Sequence, residues 1–158
     1  MTALIFLLAM ILPLQPIQQN NWKEFSSKEG KFSVLLPNTP NNDSTDKELK
    51  FKLNIGPRVY GIVRTQEFQE GHTRRDTLDA MAKGFMTVSQ GRLIDKKFIT
   101  INNYPGVSIK FETDDPQGIT EARYYLVGQY MYVLIAFTRT GNSEDNADKF
   151  LNSFRLLN

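Results

Sequence analysis

The chain has 158 residues, 41% of them hydrophobic and 23% charged, with a formal net charge of +2. That composition is globular rather than disordered, and the length suits one core that folds without disulfide or metal staples. The absence of cysteine excludes thiolate nucleophiles, iron–sulfur ligation, CxxC redox chemistry, cysteine-based zinc sites and a lipid-acceptor thiol. Lys and Arg alternate with Asp and Glu along most of the chain, which gives no massed basic face for nucleic acid.

Residues 3–12 are apolar without a break and are followed by Pro13, Leu14 and a neutral polar stretch at 15–21 that contains Pro16. This run is shorter than the roughly 20 apolar residues of a spanning helix and reads as the hydrophobic region of an export signal. No Lys or Arg precedes it, and no small-x-small cleavage site stands out at 15–21. An uncleaved tether, a buried first strand and a misplaced start therefore stay open beside a cleaved signal. The expected organisation is a leader over 1–21 and a single domain over 22–158, placed outside the cytoplasm in a periplasmic, lumenal or extracellular compartment.

From Trp22 onward short strands are broken by turn residues. Residues 22–26 and 31–36 flank Lys28-Glu29-Gly30 as a hairpin closed at Pro37, and 38–46, rich in Asn, Pro, Thr and Asp, reads as a loop. A second hairpin joins 48–55 to 58–68 through Gly56-Pro57. Asp76 is placed to cap a helix in which Leu78, Met81, Ala82, Phe85 and Val88 recur at helical spacing, and Gly91 ends it. Strands follow at 94–101, 107–113 and 119–127, with turns at 102–106 and 114–118. In the second of these, Val107, Ile109 and Phe111 alternate with Ser108, Lys110 and Glu112, the mark of a sheet with one wet face. Residues 131–137 are apolar on both faces and predict a central strand covered by a helical layer on each side. Asn142 or Ser143 is positioned to cap a last helix with Ala147, Phe150, Leu151 and Phe154 on one side. Consecutive strands with one helix inserted and one at the end imply an α+β fold built on a largely antiparallel sheet.

Three stretches, FSSKEGKFSVLLPNTP at 25–40, YYLVGQYMYVLIAFT at 124–138 and ADKFLNSFRLL at 147–157, together resemble the PsbP-like superfamily. Its members include the lumenal extrinsic subunit of photosystem II and many exported bacterial proteins of unknown role. The resemblance spans nearly all of the chain after the leader. It implies an antiparallel sheet sandwiched between helices and a binding or accessory role rather than catalysis. The matching positions are hydrophobic and turn residues, so no site residue carries over.

Chemistry-bearing residues are few. The one histidine, His72, lies in Gly71-His72-Thr73-Arg74-Arg75. Any Ser-His-Asp triad would have to use it, and no GxSxG elbow accompanies it. Arg74 and Arg75, just before the expected helix, make His72, Arg74 and Arg75 the candidate anion or ligand site, since backbone donors and the helix dipole favour anions there; solvated surface charge is the plainer reading. Asp43, Asp46, Asp114, Asp115, Asp145 and Asp148 show no calcium-loop spacing and suit turns and caps. No Gly-rich phosphate loop occurs, and no cofactor or metal site is expected. Tyr124, Tyr125, Tyr130 and Tyr132 cluster on one expected hairpin and form the candidate interaction surface, with strand alternation offering core and cross-strand roles for them instead.

The favoured expectation is an exported, non-enzymatic binding or accessory domain with a protein partner and no catalytic constellation. A small hydrolase or lyase using His72 with nearby carboxylates is the rival from another class, and a membrane-tethered structural domain is the third.

Overall fold

A period of two dominates the sequence, and the backbone follows it. The computed structural model describes residues 21–66, 74–114, 116–142 and 146–158. Their strands are β1 (Lys23–Ser27), β2 (Phe32–Leu36), β3 (Asn41–Asn42), β4 (Glu48–Ile55), β5 (Arg58–Thr65), β6 (Arg92–Ile101), β7 (Tyr104–Asp114), β8 (Gln117–Val127), β9 (Tyr130–Arg139) and β10 (Arg155–Leu156). Two helices join them, α1 (Arg74–Val88) between β5 and β6 and α2 (Ala147–Ser153) between β9 and β10.

The main sheet has the order β3-β4-β5-β9-β8-β7-β6, and β1-β2-β10 form a smaller one. Every pairing is antiparallel. Tight turns set the register. Asn102 and Asn103, both at positive φ, close β6 onto β7 in a two-residue turn, as Asn tolerates that conformation better than most residues. Strand β7 therefore begins at Tyr104, earlier than the expected Val107, and Pro105 sits just outside the last β7–β8 pair, Gly106 with Tyr125. Backbone approach is close there: a Cβ on Gly106 would lie 2.5 Å from the Tyr124 carbonyl oxygen.

Strand β9, apolar on both faces, is the fourth of the seven strands, between β5 and β8. Alternation sends Val133 and Ile135 to one side of the sheet and Tyr132, Leu134 and Ala136 to the other, and each side carries its own core. On the first, Leu78 and Ala82 of α1 pack on Val107, Ile109, Phe111, Tyr124 and Leu126. On the second, Phe32, Val34 and Leu36 of β2 join Phe150, Leu151 and Phe154 over Phe51, Leu53, Tyr60, Ile62 and Leu134. Each side of the sheet thus carries a helix, as expected, and the second helix shares its layer with the small sheet. At seven residues α2 is only about 10 Å long, and the small sheet supplies the rest of that layer.

Three corrections concern the helices. Helix α1 starts at Arg74, so Asp76 lies in its first turn and complements the helix dipole there rather than capping from outside. Val88 is 84% exposed; ten residues after Leu78, it stands about 80° round the helix from it, on the side away from Ala82. Asn146 occupies the N-cap of α2 without a side-chain cap bond, Asn142 instead donates from Nδ2 to the Arg139 carbonyl at 2.9 Å, and Ser143 lies outside the described residues.

These positions predict a sharp contrast on α1. Leu78→Ala should lower the unfolding free energy by about 2–5 kcal/mol, while Val88→Ala should stay within about 0.5 kcal/mol of the parent. Urea unfolding of both variants checks the assignment of the helix face.

Candidate functional site

At the amino end of α1 both expected cations are occupied in fixing the helix to the sheet. The Arg75 guanidinium lies 4.0 Å from the centre of the Phe98 ring on β6, and Arg74 Nη1 donates to the Leu126 carbonyl of β8 at 3.4 Å. One turn on, Asp79 is ion-paired with Lys96 of β6, and the hydrogen bond from Lys96 holds its carboxyl below the ordinary value of 3.8. The described geometry is a docking seam between helix and sheet. His72, the remaining member of that candidate group, lies outside the described residues.

The four tyrosines do not form one exposed face, because both faces of β8 and β9 are covered. Tyr124 points under α1 and is buried, with no hydrogen-bond partner for its hydroxyl among the described residues. Tyr125 points the other way and stacks on Phe154, with centroids 5.9 Å apart and planes 12° from parallel. Tyr132 is buried and donates to the Gly30 carbonyl at 2.9 Å, tying β9 to the first hairpin turn. Tyr130 alone of the four is half-exposed, with the Arg64 guanidinium 3.6 Å from its ring centre. As an interaction surface the set is corrected to core and support.

Polar side chains instead gather where neither layer reaches. Helix α1 covers the β7 and β8 part of one face, and α2 with the small sheet covers the β4, β5 and β9 part of the other. The second face of β6, β7 and β8 is open toward the β7–β8 turn, while at its other end Ile99, Ile101, Tyr125 and Val127 pack against the second core. Cross-strand rows in the open part run Arg92, Glu112, Ile119; then Asp95, Lys110, Glu121; then Lys97, Ser108, Arg123. Arg92 pairs with Glu112, Lys110 with Glu121 at 2.7 Å, and Arg123 donates to the Leu151 carbonyl at 3.0 Å and to Asn152 Oδ1 at 2.6 Å. A groove of about 250 Å³ borders these rows, with Ile119 and Ala136 beneath and Glu112, Glu121, Arg139 and Asn142 around it. A smaller hollow of about 140 Å³ lies at the far end of the sheet, between Arg64, Tyr130, Asp46 and Glu48.

Both glutamates at the groove are neutralised by cations, and among the described residues no nucleophile is presented with a base. Among the described residues no three His, Asp or Glu side chains gather in a way that could hold a metal. Such a surface can recognise charged and polar groups. The alternation of Ser108, Lys110 and Glu112 announced it in the sequence, but the opposite charges on β6 and β8 become visible only once the register is known.

No family model matches the chain, and no curated protein matches it. Solved structures do. The solution structure of cyanobacterial PsbP from Synechocystis superposes with a TM-score of 0.62 at 11% identity, over 92% of this chain and 98% of that one. The chain has a PsbP-like fold. A Pseudomonas aeruginosa protein of unknown function aligns over 75% of this chain and 83% of its own at 13% identity and a TM-score of 0.44. A Bacteroides thetaiotaomicron structure aligns over 86% of this chain and 48% of its own at 13% identity and 0.48. At 11% identity the Synechocystis structure shows the PsbP-like architecture and no chemistry. Among the described residues no helix is long and apolar enough to cross a membrane.

The two buried tyrosines should respond in opposite ways to loss of the hydroxyl. Tyr124→Phe removes a buried group without a partner, so the variant should be at least as stable as the parent, by up to about 1 kcal/mol. Tyr132→Phe orphans the Gly30 carbonyl and should cost about 1–2 kcal/mol. Burial raises both phenols above the ordinary 10.0, so their neutral forms stabilise the fold fully below that pH and the contribution is lost as pH rises past it. Unfolding midpoints measured between about pH 8 and 11 should therefore fall less steeply above about pH 10 in Tyr124→Phe than in the parent.

Proposed function

We propose that the chain is an exported binding or accessory domain that works through contact with another protein and has no catalytic chemistry of its own. The observation that carries this reading is the open half-face of β6, β7 and β8, where charges of both signs are held in fixed cross-strand pairs beside a groove. Opposite charges in a rigid array suit a polar protein surface, since complementary charge sets register and orientation between partners. The PsbP-like fold supports the same reading, because the superfamily that the sequence resembles includes extrinsic and exported accessory proteins. The apolar run at 3–12 fits export, with the mature chain starting between residues 15 and 22.

Expression of the whole chain in its native host, with intact-mass measurement and partner identification on one captured sample, tests both halves. The expected mass begins between residues 15 and 22, and the captured partner should be lost from the doubly neutralised chain, Lys110→Gln with Glu112→Gln, while its unfolding midpoint still reports a folded protein. A full-length mass would overturn the cleaved export signal in favour of a tether or a misplaced start, and a partner retained by the neutralised chain would overturn the choice of face.

A further inference from the structure

We propose that β6 is a self-complementary edge at which two copies of this chain join, antiparallel, into one continuous sheet. This inference does not rest on the functional reading above. Exposed large apolar side chains concentrate at β6: of the six among the described residues, Leu93, Ile94 and Phe98 lie on the strand, and Val88 and Tyr104 lie within four residues of its ends. The outer side of β6 has no neighbouring strand among the described residues, so its backbone donors and acceptors form an open row ten residues long.

The order of residues along that row matches itself. The register shift between Leu93 and Asp95 sets both Leu93 and Ile94 opposite Phe111, which brings their side chains to the α1 side together with Lys96 and Phe98. Asp95 and Lys97 then lie on the opposite side, beside Lys110 and Ser108. A two-fold axis through Lys96 places Ile94 against Phe98 of the second copy and Asp95 against Lys97 of the second copy, each pair occurring twice. Cross-strand apolar and opposite-charge pairs of this kind are what stabilise antiparallel neighbours. Lys96 meets its own counterpart on the axis, and each is already neutralised by Asp79 of its own α1.

The surroundings allow the approach. Arg75 holds the Phe98 ring, so that side chain is positioned before a partner arrives. The two α1 helices would stand on the same side of the joined sheet, each over β7 and β8, leaving about three strand spacings, roughly 14 Å, between the two copies of β7 for the Ile94 and Phe98 side chains. The bulge at Leu93 and Ile94 ends the pairing, which keeps the seam short and the strand from accepting any long extended chain. A seam of this length falls below the roughly 1,200 Å² of a standard interface, so the association depends on concentration.

Sedimentation equilibrium of the protein as isolated from its host, from about 10 μM to about 1 mM, gives the test. The parent should rise from one chain mass toward two. Lys97→Asp sets Asp95 against aspartate, and Asp95→Lys sets Lys97 against lysine, so each variant alone should lose the association while keeping the parent's far-ultraviolet circular dichroism. Mixed in equal amounts, the two variants restore both opposite-charge pairs and should associate again. A parent that stays monomeric throughout, a single variant that still self-associates, or a folded mixture that stays monomeric would each overturn the proposal.

Discussion

The rest of the fold depends on β9 being buried from both sides. A strand with Tyr132, Leu134 and Ala136 on one face and Val133 and Ile135 on the other cannot lie at an edge or under a single layer without exposing apolar surface worth about 25 cal/mol per Å². It must sit mid-sheet, and both faces must be roofed. The two roofs are unequal and staggered. Helix α1 lies over β7 and β8, while α2 and the small sheet lie over β4, β5 and β9 and reach only the Ile99, Ile101, Tyr125 and Val127 end of β6 and β8, so each leaves part of its face open. The charged half-face of β6, β7 and β8 is a direct consequence of that offset.

The second roof is held by the two ends of the described chain meeting each other. Strand β10 pairs with β2, the Leu157 amide donates to the Lys31 carbonyl at 2.9 Å, and the Leu35 amide donates to Ser153 Oγ at 2.8 Å. Beneath these bonds the Phe32 ring sits 5.8 Å from Phe154 and 5.9 Å from Phe51, so residues far apart in sequence share one aromatic cluster. Arg123 reaches from the open face to the carboxyl end of α2, where the helix dipole is negative and carbonyls lack intrahelical partners. One cation therefore both terminates α2 and marks the boundary between covered and open sheet.

What the sequence disclosed follows from which signals are local. The double-sided apolar run at 131–137, the alternation at 107–112 and the helical stripe from Leu78 to Phe85 are periodicities, and periodicity reports burial directly. The small sheet is different: β10 is two residues long, and its existence depends on pairing with β2 across the length of the chain, which no local window contains. The tyrosines misled for a related reason. Adjacent aromatics on a hairpin look like a surface unless both faces of their strands are known to be roofed, and the small sheet that completes the second roof is the part that local pattern could not supply.

The polar face shows why a shared architecture at 11% identity is compatible with unrelated roles. Packing fixes Val107, Ile109 and Phe111, because any change in volume is felt through a dense core. Ser108, Lys110 and Glu112, one residue away in each case, answer to no such constraint; a charge substituted there alters an exposed or partly screened pair worth at most about 1 kcal/mol. The same strand thus carries a conservative and a free register side by side. In such a sheet one face keeps the fold while the polar register of the other can change at little cost to the residues that hold it together.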